Sequence, residues 1–188
     1  MEQNEKLKSV YVVISQTGTV LSRILKLITH KEYNHSSISF EDDLSVMYSF
    51  GRKNPYYPFW GGFVKESASF GTFKRFYKTQ IIVIEFLVPK SKYIQAQQLI
   101  EKMLVNPKEY KYNYLGLILA AVKINLQRKN YYYCSEFVRD MLVLLGISDS
   151  DKLCGVIHPM RFLSMPRAVE IYKGKLHDYS LGNNVVKI

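Results

Sequence analysis

The chain has 188 residues but only two cysteines and four histidines. Thiol or imidazole chemistry is therefore confined to very few positions. Cys134 stands in the stretch NYYYCSEFVRD, Asn130 to Asp140, where three tyrosines lead into an apolar run of helical spacing. Val138, Leu142 and Leu145 fall on one face of that helix, with Cys134 and Met141 aligned to it. A cysteine in the first turn sits at the positive end of the helix dipole, which favours the thiolate, the reactive form. The free backbone N–H groups there can also donate to an oxyanion. The plain alternative is a small buried hydrophobe. Cys154, in DKLCGVI, has no activating surroundings and reads as structural; twenty residues from Cys134, it forms neither a disulfide framework nor a metal-ligand pair.

A thiol nucleophile needs a base. His30 and His177 lie in charged contexts that suit the surface, and His158 opens HPM at a helix start. His35 opens a strand, HSSISF, followed after Glu41–Asp43 by a second, LSVMYSF. A three-residue turn sets His35 opposite Ser49. One face then carries His35, Ser37, Ser39, Ser45, Met47 and Ser49, and the other Ser36, Ile38, Phe40, Leu44, Val46 and Tyr48. The first face is almost wholly polar and the second mainly apolar, so His35 is expected on an accessible polar face, oriented by its neighbour. A surface strand histidine is the alternative.

NHSSISF, followed about a hundred residues later by YYYCSEFV, resembles the permuted papain-like cysteine hydrolases. These are NlpC-type relatives whose histidine precedes the cysteine, including the YiiX/YaeF-like amidase group and, more distantly, the lecithin:retinol acyltransferase-like enzymes. The match runs in order from YVVIS to HPMRFL. The resemblance implies a circularly permuted α+β fold, an antiparallel sheet packed on helices, with Cys134 attacking an acyl carbon and His35 as base. It implies a third polar residue on the strand after the histidine. Ser49 occupies that place, and Tyr48 or a backbone carbonyl is the alternative. By the same analogy Gln16 is a candidate oxyanion donor. Tyr132 or Tyr133 is expected to wall the cleft or supply a hydroxyl, and Glu136 to act as a dipole partner at the helix start.

The elements that must hold these groups follow from periodicity. SVYVVIS, Ser9 to Ser15, and TQIIVIEFLVP, Thr79 to Pro89, read as buried strands. TGTVLSRILKLITH reads as a helix capped by Thr17 or Thr19. Ser91 is expected to cap a helix with Ile94, Leu99, Met103 and Leu104 on its inner face. Residues 112–126 give a very apolar helix, and the helix from Cys134 ends at Gly146. A short helix near HPMRFLSM and a strand near AVEIYKG complete an α+β pattern, in one domain over residues 1–188. Residues 51–79 read as a long irregular or partly stranded insertion. Arg52 and Trp60 there are candidate substrate contacts, and Gly61–Gly62 is a flap hinge.

Bulk composition narrows the partners. Hydrophobic residues make up 47% and aromatics 14%, a globular rather than a disordered balance. The net charge of +10 suits an anionic partner, yet the cations are scattered and no nucleic-acid motif accompanies them. Peripheral contact with an anionic surface remains compatible. The first twenty residues lack a signal core and no apolar run is long enough to span a bilayer, so a cytoplasmic protein is expected. The chemistry requires no metal and no organic cofactor. Three functions compete: an amidase or peptidase acting on a peptide, cell-wall fragment or acylated amine; a lipid-directed acyltransferase or esterase using the same dyad; and a non-catalytic binding module.

Overall fold

The computed structural model describes residues 5–16, 32–54, 57, 60–149 and 155–180 of the chain. The expected helix over TGTVLSRILKLITH, with Thr17 and His30, and also Cys154, lie outside the described residues.

The fold is α+β. Eight strands form one sheet in the order β7-β6-β4-β3-β2-β1-β5-β8. They are β1 Leu7–Gln16, β2 His35–Ser39, β3 Met47–Arg52, β4 Gly61–Glu66, β5 Gln80–Pro89, β6 Lys111–Tyr112, β7 Tyr131–Tyr132 and β8 Val169–Lys175. All neighbours are antiparallel except β6 and β7. The helices are α1 Gly71–Arg75, α2 Lys90–Val105, α3 Tyr114–Ala121, α4 Cys134–Leu144 and α5 Leu176–Ser180, with a 3₁₀ turn at Pro159–Ser164.

The centre of the sheet explains its two apolar runs. β1 and β5 pair over ten residues, from Leu7↔Pro89 to Gln16↔Gln80. Side chains alternate between faces, so each strand serves two cores. Val10, Val12, Ile14, Ile82, Ile84, Phe86 and Val88 join the larger core with Ala96, Ile100 and Met103 of α2 and Phe137, Val138, Met141 and Leu142 of α4. Tyr11, Val13, Ile81 and Val83 join a smaller one with Leu44, Met47, Phe73, Leu176 and Tyr179. Burying each Leu, Phe or Met on α4 contributes roughly 1.5–3 kcal/mol. A cavity at Leu142 in a Leu142→Ala variant would cost about 2–5 kcal/mol.

Several expectations need correction. The β2–β3 register is Ile38↔Tyr48 and Ser39↔Met47, two residues from the expected pairing, so Ser49 is not directly opposite His35. The connection is wider than a tight turn. Ser39 Oγ stitches it at 2.9 Å from Glu41 O and 2.8 Å from Val46 O, and Leu44 turns at φ 53° with its side chain buried. A shift of two keeps every strand residue on its face. The polar face is nevertheless not accessible, because Ser37, Ser39 and Ser49 are fully buried.

Of the two readings of residues 51–79, irregular or partly stranded, the described residues bear out the second. β3 and β4 pair from Met47↔Glu66 to Arg52↔Gly61, closed by Lys53 N–H donating to Trp60 O at 2.8 Å, and α1 follows. Helix α2 starts at Lys90 rather than being capped by Ser91, whose N–H donates to Glu5 Oε1 at 2.6 Å. Ile94 lies outward, and the fully inward positions are Ala96, Ile100 and Met103. The helix expected over 112–126 is the shorter α3, flanked by β6. Gly146, at φ 72°, supports the stop after α4 as expected.

Candidate active site

Helix α4 carries Cys134 as its first residue and packs on β2 and β3. Cys134 is buried, and its Sγ lies 3.9 Å from the carbonyl oxygen of Asn34, the residue before His35. The cysteine thus sits at the mouth of the strand that presents the histidine. Asn34 N–H donates to Ser15 O at 3.3 Å, and Ser15 pairs with His35 across β1–β2. The strand start is therefore pinned to the sheet centre.

His35 has a carboxylate partner. Its Nε2 is 3.0 Å from Glu66 Oε1 and 3.1 Å from Oε2, and the His35 and Glu66 side chains are 18% and 11% exposed. Ser37 Oγ donates to Glu66 Oε2 at 2.5 Å, which fixes the carboxylate. Burial pushes the imidazolium toward losing its proton. The Glu66 charge does most to outweigh it, and the His35 pKa is raised to about 10. His35 is thus protonated at neutral pH.

Ser49 Oγ is 3.4 Å from His35 Nε2, but it donates to Ser36 O at 2.9 Å. Glu66 is closer with both oxygens and carries the charge, so it occupies the orienting position. Sequence reasoning did not single it out, its segment reading as irregular or partly stranded. The signal was available: Glu66 is the only acidic residue between Gly51 and Lys78, among six cations. Gly51 was missed too. A Cβ there would lie 3.1 Å from Glu66 Oε1 and 3.6 Å from His35 Cε1, so its lack of a side chain leaves room for the pair.

The start of α4 has its own carboxylate. Glu136 is buried, and its Oε2 accepts from Tyr133 N–H at 3.2 Å and from Asn113 Nδ2 at 3.3 Å. Burial raises its pKa against these hydrogen bonds. Its role is thus wider than the dipole partner expected from sequence: it ties the helix start to the segment before α3. Ser135 Oγ donates to Ile157 O at 2.7 Å, a second anchor.

The other expected residues fall in distinct places. Gln16 ends β1 on the face of Ile14, the same face that α4 covers, and its expected donor role rests on this placement alone. Tyr133 is buried with its hydroxyl unpartnered, and burial, then the Glu136 and Cys134 charges, raise its pKa. Tyr132 packs its ring 5.0 Å from that of Phe50 and belongs to the core. Arg52 is half-buried; its pKa is lowered by burial and then by Arg75, and its guanidinium lies 6.0 Å from the Phe76 ring centroid. Trp60, 59% exposed, closes the β3–β4 hairpin. Tyr112 was not expected: its pKa is raised by burial and next by the charge of Cys134. Among the described residues no three His, Cys, Asp or Glu side chains form a metal-ligating group, and no helix is long and apolar enough to cross a membrane.

Comparison of the chain with protein-family models, curated proteins and solved structures finds no match in any of the three.

Proposed function

We propose that the protein is a cysteine hydrolase of amide bonds, of the permuted papain-like kind, in which Cys134 is the nucleophile, His35 the proton carrier and Glu66 the orienting carboxylate. The observation that carries this reading is the partly buried Glu66–His35 pair near a cysteine at a helix N-terminus. Glu66 has no packing reason to be there. It fixes the ring and holds its proton, the role a third group plays in such triads.

The reaction balances without an external reagent. The thiol proton rests on His35. Sγ attacks the amide carbonyl, and the backbone N–H of Cys134 donates to the oxyanion. The C–N bond breaks as His35 gives its proton to the leaving amine, leaving an acyl thioester on Cys134. His35, now neutral, takes a proton from water as the water attacks the thioester. The carboxylate product leaves and the thiolate–imidazolium pair returns.

A lipid-directed acyl transfer or ester hydrolysis is the second reading. It is favoured by α3, whose apolar side chains Leu115 and Ile118 are exposed one element away from Cys134. Incubation with panels of N-acyl amino acids, peptides and glycerolipids, followed by rapid acid quench and intact-mass measurement, tests both. An acyl adduct on the Cys134 peptide from an amide supports the first reading, and one from lipid esters only supports the second. No adduct and no turnover in any panel, with Cys134 unreactive to thiol probes, would leave a binding module on this fold.

A further inference from the structure

We propose that the segment from Lys111 to Asn130, built around α3, docks the protein on an anionic lipid surface. This interaction is independent of the chemistry proposed for Cys134. Four large apolar side chains of this segment point to solvent: Leu115 at 52% exposure, Ile118 at 66%, Val122 at 61% and Ile124 at 53%. The first three follow helical spacing and make a ridge along one side of α3 and its end. By contrast, α4 turns Phe137, Val138, Met141 and Leu142 fully into the core.

Charge selects the occupant. From Glu109 to Glu136 the chain holds no acidic residue, while Lys111, Lys123, Arg128 and Lys129 are all exposed. In space, Glu136 and Asp140 line the same surface cavity as Arg128 and Lys129, while the segment that carries the ridge itself contributes cations only, the composition of a helix lying in a lipid headgroup region. Each cation near an anionic leaflet adds attraction. A second copy of the chain fits less well. A two-fold contact through the ridge would set these four cations against the same four. α3 is too short to enter the bilayer as a span and long enough to lie flat on it, at about 12 Å.

The ridge is presented rigidly. Asn113, fully buried, accepts from Gly116 N–H at 3.0 Å and donates to Leu126 O at 3.0 Å and to Glu136 Oε2 at 3.3 Å. One side chain thus ties both ends of the segment to the start of α4. Glu136, which receives this anchor, lies two residues after Cys134 in the first turn of α4. A docked lipid surface would therefore border the candidate site rather than a remote face.

The test is flotation of the full chain with vesicles of phosphatidylcholine alone or with about one-third phosphatidylserine, at about 0.1 M salt, where surface charge is only partly screened. The expected result is binding to the anionic vesicles and little to the neutral ones. The paired variant Ile118→Asp with Val122→Asp is expected to bind about tenfold or more weakly, as is Lys123→Glu with Lys129→Glu. All four positions are exposed, and circular dichroism would verify that the variants remain folded. The variant His35→Gln should float like the parent, whatever happens to its chemistry. Absence of flotation with either vesicle would overturn the proposal. So would equal flotation with both, or binding unchanged by the aspartates. A concentration-dependent dimer abolished by the aspartates, without vesicle binding, would assign the ridge to self-association instead.

Discussion

Two carboxylates, Glu66 partly buried and Glu136 fully, flank the candidate nucleophile, and their regions are built in opposite ways. Glu66, on the β3–β4 hairpin, faces a protonated imidazole and one serine hydroxyl. Glu136, in the first turn of α4, faces two neutral donors, a backbone N–H and an amide, and its pKa is pushed up by burial. The first environment needs the negative charge. The second needs only an acceptor of the right shape. The same substitution should therefore have opposite consequences in the two places, and that contrast separates a working group from a structural one.

The largest effect is expected at the atoms that react. Cys134→Ala should abolish turnover and any acyl adduct while leaving the fold intact, measured by intact mass and thermal melting. His35→Gln should slow alkylation of Cys134 at pH 7 by about 10²-fold or more, in line with loss of a positioned proton carrier. Next comes the comparison itself. Glu66→Gln should lower alkylation and turnover about 10- to 100-fold, since it removes the charge that holds the proton on His35. Glu136→Gln should leave both within about threefold, because the amide oxygen still accepts from Tyr133 and Asn113. Glu136→Leu should instead lower stability by about 1–3 kcal/mol, since it strands two buried donors. An equal loss in Glu66→Gln and Glu136→Gln would collapse the distinction.

The pair also has a pH signature. The folded His35 pKa is raised above its ordinary 6.5, to about 10. Protonated His35 therefore stabilises the fold fully below pH 6.5, and that contribution is lost as pH rises toward about 10. The melting temperature of the parent should exceed that of His35→Gln at pH 6, and the gap should narrow steadily up to pH 10. A gap that widens with pH would mean the ring is neutral in the fold. The smallest expected effect is Ser49→Ala, within about threefold on alkylation, because the Ser49 hydroxyl is committed to Ser36 O.

The contrast also shows what a single chain discloses. The apolar runs of β1 and β5, the start of α4 at Cys134 and its stop at Gly146 follow from local periodicity, and all are legible. The polar face of β2 and β3 was legible because alternation survives a shift of two residues. The position opposite His35 was not. It depends on a connection widened by Ser39 and Leu44, whose hydrogen bonds no pattern reveals. Glu66 was hidden for the same reason: Gly and aromatic residues made its hairpin look irregular or partly stranded, and only its isolation among cations marked it. The apolar run at α3 was visible as a helix, but apolar composition does not say what covers a face. Leu115 and Ile118 could be placed only once their neighbours were known.

The most direct measurement is the alkylation rate of Cys134 by iodoacetamide at pH 6.5, followed by peptide mapping, in the parent and in Glu66→Gln, with Cys154 as the internal reference. A Cys134–His35–Glu66 triad predicts that Cys134 in the parent reacts far faster than Cys154, and that Glu66→Gln slows Cys134 alone by about tenfold or more. Equal rates for the two cysteines in the parent, or a Cys134 rate unchanged in Glu66→Gln, would contradict it.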